Sequence, residues 1–231
     1  MNWFIKFLTS SLGKKLIMSL TGLFLVSFLA VHLVGNLQLL IDDQGQQFNI
    51  YAKFMTTNPL IKTVSYLLYF SILLHAFQGW AIWRQNRAAR GNQRYAVQNV
   101  RAVNTNASVD KSMGWLGTVI FIFLLIHLYQ FWLQMKMGTL PMVEYDGESY
   151  KNLYVPVKAA YSNIGYVIFY VVSMGFVAMH LIHGFQSAFQ TLGLNHKKYS
   201  PFIHFVGKAF AIVVSIGFAI IPIVFYLRYA S

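Results

Sequence analysis

Residues 163–190 read NIGYVIFYVVSMGFVAMHLIHGFQSAFQ, without an Asp, Glu, Lys or Arg anywhere in the stretch. A helix of that length rises about 40 Å, more than the roughly 30 Å hydrocarbon core of a bilayer. The whole uncharged run, from Lys158 to Lys197, spans 38 residues, but its ends, Ala159 to Asn163 and Leu192 to His196, are polar or broken by glycine. One long spanning helix near 163–190 is therefore expected, not two short ones.

Four further gaps between charges repeat the pattern. They lie between Lys15 and Asp42, Lys62 and Arg84, Lys111 and Lys136, and Lys208 and Arg228, with lengths of 26, 21, 24 and 19 residues. A spanning helix needs about 20 apolar residues, so each gap holds one. The expected fold is an all-α membrane protein of five helices, near 16–41, 61–84, 112–136, 163–190 and 203–227, forming one domain over 1–231. The runs are continuously apolar and do not alternate in ten-residue segments, which speaks against a β-barrel. The first run is too long for a cleaved signal peptide and has no small-residue cleavage site before Asp42. Pro222 falls inside the fifth helix, where a kink is tolerated.

Composition agrees. Of 231 residues, 57% are hydrophobic, 17% aromatic and 10% charged, with mean hydropathy +0.52. A water-soluble chain carries roughly 25% charged residues, and a disordered one is poor in aromatics. The absence of cysteine excludes disulfides, zinc–thiolate clusters, iron–sulfur ligation and thiol chemistry within the chain.

Charge sets the expected orientation. Lys6, Lys14 and Lys15 precede the first helix; Arg84, Arg87, Arg90, Arg94, Arg101 and Lys111 join the second and third; Lys197, Lys198 and Lys208 precede the fifth. Those twelve basic residues share one side, against six on the other, where five of the six acids also lie. The positive-inside rule places the N-terminus in the cytoplasm and the C-terminus outside. A net charge of +12 raises nucleic-acid binding as a rival, but this charge flanks apolar spans and forms no groove with stacking aromatics. Residues 44–60 and 137–158 are the external connectors, the first with a short amphipathic helix before Pro59. Trp3, Trp80, Trp83, Trp115 and Trp132 suit interfacial belts.

The candidate chemistry lies in histidines. His32, His75, His127 and His180 each sit well inside a different helix, and intramembrane ionisable side chains are rare and costly. Measured from the cytoplasmic side, His32 and His127 lie about 0.64 and 0.65 of the way across their uncharged runs, and His75 and His180 about 0.40 and 0.37. These are two pairs at two depths. Two imidazoles at one depth can reach opposite faces of a haem and leave its iron six-coordinate. The alternative is a set of neutral imidazoles that hydrogen-bond between helices, or a proton relay. Gly79 and Gly184 follow His75 and His180 by four residues, and Gly35 follows His32 by three, which leaves room beside the ligands; His127 has Phe131 at the fourth position.

With SLTGLFL and HLVGN in the first helix, FNIYAKFM after it, HAFQG in the second, IHLYQFW in the third and HLIHGFQSAFQTLGL in the fourth, the chain resembles a known family. That family is the single-chain, five-helix, dihaem cytochrome b anchor of succinate dehydrogenases and fumarate reductases. The resemblance runs from Ser19 to about Leu194. It implies two haem b groups, the inner on His75 and His180 and the outer on His32 and His127. It also implies a quinone as redox partner (menaquinone), flavoprotein and iron–sulfur subunits on the cytoplasmic side, and a multi-pass location in a bacterial cytoplasmic membrane. Electrons would then meet the inner haem first. Ser19 matches a position whose hydroxyl contacts a haem propionate. The family's basic residue near the end of the fourth helix is replaced here by Gln190 and Thr191, which shifts that task to Arg84, His196 or Lys197. Some members place an acid of the first external connector near the quinone; the acids here are Asp42 and Asp43. His183 aligns with a non-ligand position and reads as packing, and His196 and His204 as interfacial. Dicarboxylate chemistry would reside in the partner subunits, because this chain has neither a dinucleotide fingerprint nor cluster cysteines. The rivals are the cytochrome b anchor of another quinone-linked oxidoreductase and a haem-free, histidine-relay transporter.

Overall fold

The computed structural model describes residues 2–90 and 107–230; Arg94 and Arg101 lie outside the described residues, as do the side chains of Arg90 and Lys111. Among the described residues, five helices are long and apolar enough to cross a membrane. A short helix, α1 (Trp3–Thr9), leads into α2 (Ser11–Leu37), which ends in a 3₁₀ turn at Gln38–Leu40. Next come α3 (Gln46–Thr57), α4 (Pro59–Arg90) and α5 (Ala107–His127). The third crossing continues through a π-helical turn, Leu128–Leu133, into α6 (Gln134–Met137). Strands β1 (Met142–Tyr145) and β2 (Glu148–Lys151), then α7 (Tyr154–Tyr161), α8 (Ile164–Thr191) and α9 (Ser200–Tyr229), complete the chain.

Four of the five spans pass a charge-gap boundary, the exception being Ile164–Thr191, which stays inside its gap, and capping explains two of the starts. Ser10 Oγ accepts from the Gly13 amide at 3.1 Å, so α2 begins at Ser11 and not at residue 16. Asn58 Oδ1 accepts from the Leu60 and Ile61 amides at 3.0 and 3.3 Å, and Pro59 occupies the first helical position, where its missing N–H costs nothing. A charged residue can sit in the first turn of a helix that leaves the apolar layer, so a gap between charges understates helix length.

The all-α expectation needs one correction. Within 137–158, β1 and β2 pair antiparallel, Val143 opposite Tyr150 and Glu144 opposite Ser149, around a tight turn at Asp146 and Gly147. Their alternation covers four residues each, too short to stand out from a polar connector.

The best-packed core sits at this hairpin end. Leu39, Phe48, Tyr154, Val157, Tyr161, Tyr170, Ile221 and Phe225 form one cluster, with Phe225 fully buried. Asn49, only 1% exposed, ties the connectors together: its amide donates to the Tyr145 hydroxyl and Asn152 Oδ1, both at 3.1 Å, and its Oδ1 accepts from the Leu153 and Tyr154 amides. Every polar capacity of that amide is therefore used. Arg228 donates to the Leu40 carbonyl at 3.0 Å, and the Tyr154 and Tyr229 hydroxyls share a hydrogen bond of 2.7 Å. By contrast, the crossing helices expose Phe70, Leu73, Phe77, Leu125, Val213 and Leu227 broadly. Such side chains belong against lipid.

Helices α8 and α9 pack together most extensively, and α2 reaches α4, α8 and α9. α5 lies against α8 and α4.

Candidate haem-binding site

The four intramembrane histidines meet as two pairs. His32 on α2 and His127 at the end of α5 have ring centroids 5.8 Å apart, their planes at 87°. His75 on α4 and His180 on α8 have centroids 6.3 Å apart, their planes at 74°. All four side chains are half-buried.

Two helices measure the distance between the pairs. Thr21 touches His75 while His32 lies eleven residues further along α2, about 16 Å of helix rise. Tyr170 touches His127 while His180 lies ten residues further along α8, about 15 Å. The agreement sets the pairs at two well-separated levels, the His75–His180 pair toward the end that carries α1.

Aromatic rings position the pair nearer the hairpin. Phe28, one turn before His32, stacks on it at 5.1 Å and 18°, and Phe123 does the same for His127 at 5.8 Å and 28°. Phe218 of α9 closes on His32, and Phe131 and Tyr170 on His127. Phe131 belongs to the π-helical turn that starts directly after His127. Turns of this kind recur at functional sites. Here Gln130 of the same turn accepts from the Tyr170 hydroxyl at 2.5 Å, which pins the turn to α8.

The residues fit a haem on three observations. First, each level offers two imidazoles from two different helices, the donor set that would hold a metal whose other ligands come from a macrocycle. Second, the ring centroids lie 5.8 and 6.3 Å apart, a spacing that would let one metal be held between a nitrogen of each ring. Third, a Cβ added at Gly184 would meet nothing within 4 Å, so the face of α8 one turn past His180 is open.

The rings' second nitrogens differ. His75 Nδ1 lies 3.2 Å from Thr21 Oγ1. His32 Nδ1 lies 3.2 Å from the Asn36 amide nitrogen, which also donates to the His32 carbonyl at 2.7 Å. As placed, that amide donates to Nδ1 and puts the ring proton on Nε2; a metal on Nε2 requires the amide to turn. His127 Nδ1 and His180 Nδ1 are buried and have no hydrogen-bond partner.

Other sequence candidates fall in varied places. A Cβ added at Gly79 would come within 3.2 Å of the Met18 methyl, and one at Gly35 would run into the Tyr51 ring, so neither opens onto an imidazole. Gly22 does: a Cβ there would come within 3.2 Å of His75 Cε1. Ser19 is buried, its hydroxyl donating to the Lys15 carbonyl at 2.9 Å; donation to a propionate would require it to turn. The Arg84 guanidinium lies over the Trp80 ring, 4.9 Å from its centroid. His196 is exposed and accepts from the Lys198 amide, and Lys197 is exposed beside it. His183, one turn past His180, is engaged with a neighbour of its own. Asp43 accepts from the Gly45 and Gln47 amides, both at 2.9 Å, and so caps α3, while Asp42 is exposed.

Thr21, Gly22, Asn36, Gln130 and Tyr170 were not singled out by sequence. A hydroxyl next to a glycine in an apolar run is visible, but its meeting with His75 depends on the register between α2 and α4. No family model, curated protein or solved structure matches the chain.

Proposed function

We propose that the chain is a dihaem cytochrome b, the membrane anchor and electron-transfer subunit of a succinate:quinone oxidoreductase or quinol:fumarate reductase in a bacterial cytoplasmic membrane. The observation that carries the reading is the pairing itself: four histidines from four helices meet two by two, about 15 Å apart along the bundle. Packing histidines have no reason to sort into two facing pairs at two levels.

His75 and His180 would hold one haem and His32 and His127 the other. When bound, b haems supply reversible one-electron chemistry, here between a soluble iron–sulfur partner and membrane quinone. The chain's own residues do the rest. Phe28 and Phe123 fix the planes of His32 and His127, Gly184 and Gly22 leave space beside His180 and His75, and the apolar helices keep water from both levels. The basic end, with Lys14, Lys15, Arg84, Arg87, Lys197 and Lys198, would face the cytoplasm and the flavoprotein and iron–sulfur subunits. A positive surface there favours added electrons at the nearer site. Dicarboxylate chemistry is assigned to those partners, and the acceptor or donor in the membrane to a quinone such as menaquinone.

A visible absorption spectrum of the purified protein tests this. Low-spin b-type bands that sharpen on reduction are expected; a protein with no Soret band would instead favour a histidine relay.

A further inference from the structure

We propose that Thr21 is the positioning residue for His75, holding its imidazole in the tautomer protonated on Nδ1. The inference rests on reading His75 as an axial ligand and adds the group that prepares it.

The hydroxyl has one proton and a place for it. Thr21 Oγ1 lies 2.8 Å from the Ile17 carbonyl and 3.2 Å from that of Met18, so its hydrogen is directed back along α2. Toward His75 Nδ1, at 3.2 Å, it therefore offers only a lone pair. A lone pair facing Nδ1 is satisfied when Nδ1 carries the hydrogen, and a neutral ring then leaves its free electron pair on Nε2. That pair is the one a metal takes. The next residue gives the ring its room: a Cβ at Gly22 would press on Cε1 at 3.2 Å and on Nδ1 at 3.7 Å. Residues 21 and 22 thus clasp one edge of His75, one by a hydrogen bond and one by having no side chain. His180, across the pair, has its Nδ1 buried with no acceptor, so Thr21 makes the two ligands of this level unequal. An accepting group behind a ligand histidine raises its basicity, and its loss weakens metal binding by about 10–100-fold.

The test uses the whole chain, with 15N in its imidazole rings, kept reduced and compared as wild type, Thr21→Val and Thr21→Ser, the His75 signal being assigned with His75→Gln. Wild type and Thr21→Ser should carry the His75 proton on Nδ1 alone. In Thr21→Val a haem-bound His75 keeps its proton on Nδ1 but should lose its hydrogen bond, so that the Nδ1–H signal moves upfield and exchanges faster with solvent, while the other histidine signals stay in place, which shows that it folds. In parallel, a redox titration followed by absorbance should show one of two haems shifted to higher potential in Thr21→Val, the other unmoved, and both at wild-type values in Thr21→Ser. A His75 proton on Nε2 in wild type, or a Thr21→Val protein identical to wild type in both measurements, overturns the proposal. A chain that holds no haem yet shows the Nδ1 proton and its loss in Thr21→Val supports the clasp and overturns the haem reading instead.

Discussion

His32 and His127 stand with their ring planes almost perpendicular, centroids 5.8 Å apart, although one lies on the first crossing helix and the other within the third. Each has a phenylalanine one turn earlier stacked on its ring, Phe28 and Phe123, so the two helices present the same local device to one another. His75 and His180 meet without such stacking, against Thr21 and beside the open face at Gly184. The two levels thus have different surroundings, and two haems held there should differ in potential and in spectrum.

Filling the open face should displace one cofactor only. A Gly184→Leu side chain starts from a Cβ that touches nothing within 4 Å, so the helix tolerates it, but it occupies the space beside His180. Haem content should fall from two per chain to one, with the His32–His127 signal retained. An unchanged content of two would show that the space beside Gly184 is not used.

Topology follows from charge. A reporter fused after residue 95 should read as cytoplasmic, and one fused at residue 148 as external. The opposite result would place the His75–His180 level on the far side from the soluble partners.

The connectors should depend on one amide. Asn49→Leu removes the acceptor of the Leu153 and Tyr154 amides and the donor to Tyr145 and Asn152 in a site 1% exposed. Leaving buried groups unpaired costs about 1–3 kcal/mol each, so thermal unfolding in detergent should show a loss of at least about 2 kcal/mol. Asn49→Asp keeps the acceptor and should lose less.

The hairpin should loosen in acid. Hydrogen bonds from Lys53 at 2.9 Å and from Tyr150 at 3.0 Å, together with the Lys53 charge, hold the Glu148 carboxyl below its ordinary value. A depressed carboxyl contributes stability that is present above its unfolded-state value and is lost as pH falls through the folded one. The pair is exposed, so the effect is local and modest. Hydrogen exchange of the Glu148–Lys151 strand should accelerate as pH drops below the carboxylate range, once corrected for intrinsic rates. Glu148→Gln should flatten that dependence.

Much of this architecture is legible in the chain alone, and the reasons are physical. Charge is so costly in hydrocarbon that gaps between charges count the crossings, and a residue's place within a gap reports its depth. On depth alone His32 pairs with His127 and His75 with His180, and the rings meet in those pairs. What depth cannot report is azimuth. Gly79 and Gly35 stand at helical spacing from their histidines yet face Met18 and Tyr51, because spacing along one helix says nothing of which neighbour covers that face. Thr21 was missed for the same reason. The hairpin was missed because four-residue strands carry too little pattern, and the π-helical turn after His127 because it costs one hydrogen-bond register and leaves no mark in composition.

Haem count per chain tests the central claim most directly. A pyridine haemochrome assay on purified protein, with single replacements of each histidine by alanine, should give two b haems for wild type. His32→Ala and His127→Ala should lose the same haem, and His75→Ala and His180→Ala the other. A wild type with one haem or none, or variants that lose haem in any other pairing, would contradict the account.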